Sequence, residues 1–213
     1  MRKNWKYALQ SHLRDSFSLY LFIFVLFLMG IIFGAVTVNS LSDIQKNDLF
    51  QYLSLFFGQV QNGSIAEQGV MFKQSFLHHA RFVGLMWILG LSIIGLPIIL
   101  VLIFLKGVVV GFTVGFLVNQ LGWHGFLLSF VSVIPQNLLL IPAFIIFGTA
   151  ALSFSLKLMR QLFIKKTTAD ALFPAFMRYT MLMIIIIIAV GAASSFEAFL
   201  SPVLMKAVIK VIY

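Results

Sequence analysis

The chain alternates between long apolar runs and short clusters of polar and basic residues. Apolar runs of about 20 residues are long enough to cross the hydrocarbon of a bilayer as helices. Strands of a membrane barrel would instead alternate polar and apolar positions, and the sequence lacks that alternation. The pattern therefore predicts an all-α integral membrane protein. We expect a single membrane domain over residues 1–213, with about five transmembrane helices and additional amphipathic interfacial helices.

The boundaries of the predicted elements follow from where the apolar runs begin and end. Residues 1–16 have one apolar and one basic helical face, which is typical of a helix on the cytoplasmic membrane surface. The other predicted elements are, in order, span 1 at 17–38, an outer amphipathic loop at 39–79, span 2 at 80–105, span 3 at 107–121, span 4 at 126–156, a basic cytoplasmic connection at 157–178, span 5 at 179–200 and an outer terminal helix at 201–213.

The outer loop contains a second amphipathic helix. Its apolar residues recur at helical spacing and form one hydrophobic face, made of Leu49, Phe50, Leu53, Phe56 and Phe57. Such a face either lies against lipid or docks another protein. Both interpretations stay open from the sequence, and this face is a candidate partner-docking surface.

Glycines at a spacing of four occur in two of the predicted spans. Gly30 and Gly34 form one pair, and Gly107, Gly111 and Gly115 form two overlapping steps. Glycines at this spacing let two helix backbones approach closely. We expect the span 3 glycines to make a contact within the chain. The span 1 pair is the better candidate for a homo-oligomer contact.

Span 4 carries two prolines and two amides near the expected centre of the bilayer, namely Pro135, Gln136, Asn137 and Pro142. Proline has no backbone N–H and clashes with the preceding turn, so the fourth span should be kinked or broken at Pro135 and Pro142. In one interpretation the broken helix lines a solute path. In the other, its amides bind neighbouring helices.

Composition and charge agree with these elements. Of the 213 residues, 61% are hydrophobic and 10% are charged, which excludes a soluble domain. The net charge of +9 comes from clusters beside the apolar runs, so it indicates topology and not nucleic-acid binding. Most Lys and Arg lie on the side of residues 1–16, which predicts a cytoplasmic amino terminus and an outside carboxyl terminus. Without cysteine, disulfides and thiolate sites are excluded.

Candidate chemistry is sparse in this sequence. Glu197 is the only acid inside a predicted span, and its place near the outer end of span 5 indicates a side chain that reaches the interface. His78 and His79 lack further ligands at metal-binding spacing. No paired carboxylates or hydrolase motif occur. We therefore expect no catalytic, cofactor-binding or metal site, and no enzyme activity.

Three stretches carry a likeness to a known family: residues 27–53, the glycine- and valine-rich residues 106–116, and residues 135–143. Through them the chain resembles, over essentially its whole length, stage II sporulation protein M of endospore-forming bacteria. Members of the wider family often carry His, Gly and a later Glu after the first proline of the third stretch. The corresponding positions here are Gln136, Asn137 and Leu140. The resemblance therefore implies no activity that rests on an intramembrane His and Glu at those positions.

The resemblance implies a non-catalytic membrane scaffold for engulfment, the step in which the mother-cell membrane migrates around the forespore. It implies assembly with sporulation proteins D and P, which cleave peptidoglycan, in the septal and engulfing membrane. Membrane lipids are the other expected partners, and no cofactor or nucleic acid is expected. A permease or channel subunit that uses the broken fourth helix is the alternative.

Overall fold

The computed structural model describes residues 2–62, 67–164 and 172–212. These residues form helices and no strand, which confirms the predicted all-α class. The elements are α1 (Arg2–Thr37), a 3-10 turn (Val38–Ser40), α2 (Asp43–Asn62), α3 (Gln68–Gly90), α4 (Gly95–Ser132), α5 (Ile134–Ile164), α6 (Leu172–Ser195), a π-helical segment (Phe196–Leu200) and α7 (Ser201–Ile212). Within the described residues, four stretches are long and apolar enough to cross a membrane, namely Phe17–Ser40, Gly95–Ser132, Ile134–Leu162 and Leu172–Lys206.

Helices α1 and α4 pack against each other with their backbones in direct contact. The Cα atom of Gly30 lies against Gly107, and Gly111 and Gly115 lie against Ile31 and Ala35 in the same way. Residue numbers rise together along both helices, so the two helices are parallel. A methyl group added at Gly30 or Gly111 would overlap a backbone carbonyl of the opposite helix. Glycine is therefore needed at these positions for the backbones of α1 and α4 to come this close together.

Both glycine series thus belong to one contact within the chain. The expected internal contact of Gly107, Gly111 and Gly115 is present. The expectation that Gly30 and Gly34 face a second copy is wrong, because a Cβ at Gly34 would meet the backbone of Val108 and Phe112. Spacing alone predicts that a helix has a close neighbour, but it does not identify that neighbour.

Helix α3 returns the chain between the two parallel helices. Gly90 lies against Tyr179 near the start of α6, and Ser75 lies against Ser194 near its end, so α3 is antiparallel to α6. The 23 residues of α3 extend for about 35 Å at 1.5 Å per residue, which is enough to cross a bilayer. Its composition is more polar than that of the four apolar stretches, because it contains Lys73, His78, His79 and Arg81.

The division between predicted spans 2 and 3 was placed incorrectly. The chain turns at residues 91–94, inside predicted span 2, and α4 then continues without interruption through Lys106. In the sequence, a lysine between two apolar runs indicates the end of a span, but here the helix continues through it. In the structure its ammonium lies over the rings of Phe82 and Phe144, at 5.9 and 5.3 Å from their centroids. These cation–π contacts help a lysine to lie within an apolar helix.

The helix-breaking residues act at the start of predicted span 4. Gly122 has φ 55° and ψ −129°, which reverses the chain so that Gly125 packs on Leu117. A short helical stretch follows to Ser132, and the helical pattern is interrupted at Val133, just before Pro135. The interruption thus precedes Pro135, which lies in the first turn of α5, whereas Pro142 lies inside α5.

Three other predicted boundaries differ from the helices. Residues 2–16 continue directly into α1, so the backbone shows no separate surface helix before span 1. The predicted basic connection at 157–178 is largely occupied by the end of α5 and the start of α6, and its centre, residues 165–171, lies outside the described residues. Span 5 and the terminal helix are joined by the π-helical segment without a loop.

Candidate functional site

A polar cluster inside the bundle surrounds the carboxylate of Glu197. The hydroxyl of Ser75, on α3, donates a hydrogen bond to Oε2 of this carboxylate and lies 3.1 Å from the Ser194 hydroxyl. With its amide nitrogen turned toward the cluster, Gln136 donates to both carboxylate oxygens, at 2.6 and 3.2 Å. Nε2 of His79 lies 3.8 Å from Oε2. Three separate parts of the chain therefore converge on one acid.

The π-helical segment places Glu197 toward α3 and α5. Pro202 cannot donate a backbone hydrogen bond to the preceding turn, and its ring pushes that turn open. The backbone N–H of Ser201 bonds instead to the carbonyl of Phe196, five residues earlier. Such wide turns occur often at functional sites because they redirect single side chains. The proline after this apolar span is therefore the local cause of the position of the acid.

Helix α3 presents Ser75 and His79 to the cluster from one face, because residues four apart in a helix lie on the same side. Both are buried, with exposed fractions of 9% and 7%. Nδ1 of His79 is buried without a hydrogen-bond partner among the described residues. An unpaired buried ring nitrogen is costly, so this face is poised to accept a further polar group.

The cluster lies within the length of the bundle and not at its end. Thr113 of α4 lines the same cavity as Glu197, whereas Asn119 pairs with Asn39 at the end of α1, with 3.4 Å between their side chains. Six residues of helix separate these two levels by about 9 Å. The Glu197 carboxylate therefore faces a cavity that it shares with α4, although its side chain is 33% exposed.

Two cavities meet at this acid. The first, of about 250 Å³, is mainly apolar and lies under α2, between Phe57, Leu117 and Met205. The second, of about 460 Å³, is polar and is lined by Gln74, Ser75, His78 and His79. Both are also lined by Met71, Gln136 and Glu197. The site therefore has an apolar end and a polar end on either side of the carboxylate.

The chain can be compared with known families once this geometry is established. A family model described as Stage II sporulation protein M matches residues 23–202. The chain belongs to the stage II sporulation protein M family. The match extends from α1 to Pro202, so it includes both the glycine contact and every member of the polar cluster. Comparisons with curated proteins and with solved structures gave no match.

This member of the stage II sporulation protein M family has a Glu and a His together in the bundle, although not at the positions after Pro135. The sequence alone does not reveal the pair, because the two residues come from α3 and the π-helical segment, 118 positions apart in the chain. Two signals were available. Ser75 and His79 have helical spacing, and Glu197 is an acid in an apolar run, which is a functional suspect by default.

The geometry of the cluster defines its possible chemistry. Ser75 donates to Glu197 and not to His79, so the described residues show no hydroxyl held by an imidazole base as in a hydrolase. Among the described residues, no group of three His, Cys, Asp or Glu could hold a metal ion. A carboxylate surrounded by hydrogen-bond donors can bind a cation or exchange a proton with the imidazole.

The amides predicted to break span 4 have different roles. Asn137 is buried, and its side-chain nitrogen donates to the carbonyl of Val133 at 2.8 Å, where the helix is interrupted. Gln136 binds Glu197 instead. One amide thus stabilises the interruption, and the other connects α5 to the end of α6.

The candidate docking face of α2 is divided by the fold. Phe57 is 7% exposed and packs with Val60, Leu117, Leu128 and Met205, and Leu53 packs against the same group. Leu49 and Phe56 are 36% and 41% exposed, and Phe50 is half-buried. The part of the face that is not buried against the bundle consists of Leu49, Phe50 and Phe56, and we call it the outer α2 strip. It is the part of the predicted face that remains available to a partner.

A double-mutant cycle tests whether Ser75 and Glu197 are bound to each other in the bilayer. We expect Ser75→Ala and Glu197→Gln to be non-additive, with a coupling free energy of about 0.6 to 2 kcal/mol, because they share one hydrogen bond. The free energy of unfolding would be measured by titration with a denaturing detergent. Ser54→Ala serves as the control, since Ser54 bonds only to its own helix. Additive effects of Ser75→Ala and Glu197→Gln would contradict the cluster.

Proposed function

We propose that this protein is a non-catalytic membrane scaffold that assembles and localises peptidoglycan-degrading partners during forespore engulfment. The observation that carries the proposal is the family match over residues 23–202, which makes the chain a sporulation membrane protein. The partners implied by the family resemblance are sporulation proteins D and P. In this proposal they supply the hydrolysis, and the bundle supplies their position.

The fold supports a holding role in two ways. The α1–α4 contact and the large buried group between α3, α5 and α6 form a packed support, with Ile23, Met86, Phe147 and Val190 almost fully buried. Against this support, α2 is attached by Phe57 and Val60 while the outer α2 strip stays accessible. A packed bundle with an accessible apolar strip on α2 suits a protein whose partners contact it from the side.

We further propose that the chain crosses the membrane five times, with α3 as the second crossing. The parallel arrangement of α1 and α4 supports this count, since one return crossing must lie between them. With Lys106 placed inside α4, the basic residues still favour a cytoplasmic amino terminus. On that side lie Arg2, Lys3, Lys6, Arg14, Lys157, Arg160, Lys165, Lys166 and Arg178, and on the other lie Lys46, Lys206 and Lys210, whereas Lys73 and Arg81 lie within α3. The carboxyl terminus is then outside the cytoplasm. We propose, from the family resemblance, that the protein is located in the septal and engulfing membrane of the mother cell.

Labelling of single introduced cysteines tests this topology, and the chain has no native cysteine to interfere. We expect Trp123→Cys to react with an impermeant maleimide from outside the cell, since this side chain is 69% exposed next to the Gly122 turn. Ile94→Cys should react only after permeabilisation. Lys106→Cys should stay unlabelled in both conditions because it lies in the middle of α4. Labelling of residue 106 from the cytoplasmic side would contradict the five crossings.

A permease or channel subunit is a second candidate, and one observation favours it. The polar cavity of about 460 Å³ lies beside the interruption before Pro135, where a solute path would be expected. Solute flux through vesicles that contain the purified chain would support this candidate. A scaffold predicts no flux above that of empty vesicles.

The scaffold proposal is tested by isolating the affinity-tagged full chain from sporulating cells during engulfment. We expect sporulation proteins D and P to co-purify, and the chain alone to release no fragments from purified peptidoglycan. The complex should release them. Peptidoglycan cleavage by the chain alone, or isolation without either partner, would contradict the proposal.

A further inference from the structure

The Glu197 carboxylate lacks a strong cationic partner inside the bundle. Among the side chains that the structure describes, no Lys or Arg nitrogen lies within 4.0 Å of it, and its closest basic group is His79 at 3.8 Å. The ammonium of Lys106 lies over two aromatic rings instead. A charged acid at this depth is stable only when it is paired, so the carboxylate is suited to a cation from outside the chain.

The polar cavity is also equipped to bind an anionic group. His78 and Gln74 line it, and both side chains can donate hydrogen bonds. Nδ1 of His79 is buried without a partner in the same part of the molecule. An acid and several donors around one cavity match a zwitterion better than a simple cation, because each end of a zwitterion then finds its complement.

The apolar cavity continues from the carboxylate in the other direction. Phe56, Phe57, Leu128 and Met205 are among its lining residues, and only a few polar atoms contribute. Its volume of about 250 Å³ has room for part of one acyl chain. A ligand in both cavities would therefore have a polar head beside Glu197 and an apolar tail under α2.

We propose that these two cavities form a specific site for a phospholipid with a primary-ammonium headgroup. Its ammonium binds Glu197, with Gln136 and Ser75 holding the carboxylate in place. Its phosphate lies toward His78 and Gln74, and part of one acyl chain enters the apolar cavity. The proposal does not depend on the scaffold function, because a lipid site of this kind would exist whatever partners the protein binds.

Native mass spectrometry of the purified full chain in a neutral detergent tests the site. The probes are phosphatidylethanolamine, phosphatidylcholine and phosphatidylglycerol with identical acyl chains. We expect one phosphatidylethanolamine to bind at about tenfold lower concentration than phosphatidylcholine, because a quaternary ammonium cannot donate hydrogen bonds to a carboxylate. Equal binding of these two lipids, or tighter binding of phosphatidylglycerol, would overturn the proposal.

Two variants and a matched control locate the bound lipid. Glu197→Gln should reduce phosphatidylethanolamine binding to the level of phosphatidylcholine, whereas Glu67→Gln, at an exposed acid before α3, should leave the preference unchanged. Thr113→Trp keeps the acid and fills the apolar cavity, so it should weaken binding without lowering the melting temperature. Should Glu197→Gln fail to fold, Thr113→Trp decides: full binding by that variant would overturn the proposal.

Discussion

Replacing Gly111 by leucine is expected to prevent the bundle from folding. A single Cβ at this position would overlap the carbonyl of Ile31, and that backbone belongs to a parallel helix that cannot shift without opening the whole α1–α4 contact. Overpacking of ordinary side chains costs about 1–3 kcal/mol, and a collision with backbone should exceed that range. The measurements are the amount of membrane-inserted protein and its midpoint in a denaturing-detergent titration.

Gly84 provides the matched control for this substitution. It lies in α3, and a Cβ built there meets nothing within 4 Å. We expect Gly84→Leu not to lower the free energy of unfolding, because leucine has room there and favours a helix interior over glycine by up to about 1 kcal/mol. Normal accumulation and an unchanged midpoint for Gly111→Leu would show that the parallel contact is absent.

Under the proposed scaffold role, replacing Leu49 by lysine is expected to release sporulation proteins D and P from a correctly inserted protein. Leu49 belongs to the outer α2 strip, and a charge there would have to be desolvated in any apolar interface. The few hot-spot residues near the centre of an interface contribute about 2 kcal/mol or more each, so if Leu49 is one of them, recovery of sporulation proteins D and P should fall by about tenfold or more. The measurement is co-purification from sporulating cells at equal amounts of membrane-inserted chain.

The matched control is Leu55→Lys. Leu55 is 66% exposed on the same helix but lies about 120° away around its axis, so the same chemical change falls outside the strip. Phe57 is unsuitable for this comparison because it is buried against the bundle, and a charge there would disturb folding itself. If partner co-purification fell equally in both variants, any added charge on α2 would disturb binding. That result would contradict the claim that the outer α2 strip is the binding surface.

Hydrophobic patterning predicted the fold class because burial and lipid contact depend on local composition. It also predicted the turn at residues 122–125, where Gly122 has a positive φ. The predicted kink or break at Pro135 and Pro142 is not confirmed, because the helical pattern is interrupted at Val133 and α5 runs through Pro142. Hydrophobic patterning failed at Lys106, where a polar residue that indicates a span end lies inside a helix. Composition alone does not reveal that two aromatic rings from other helices accompany that lysine.

The polar cluster illustrates a different limit. Its members lie on α3, α5, α6 and the π-helical segment, so no local window contains more than two of them. Their convergence depends on the antiparallel packing of α3 against α6, which sequence spacing does not determine. The glycine series shows the same limit, since spacing predicted close contact for Gly30 and Gly34 but assigned them the wrong neighbour.

Site-specific crosslinking along α2 tests most directly whether the protein holds its partners. Single cysteines would be introduced at successive positions from 43 to 60 and crosslinked in cells during engulfment. If the proposed partners bind α2, we expect products with sporulation protein D or P that recur with helical period and centre on Leu49, Phe50 and Phe56. The absence of such products along the whole of α2, in cells that complete engulfment normally, would contradict the proposed binding.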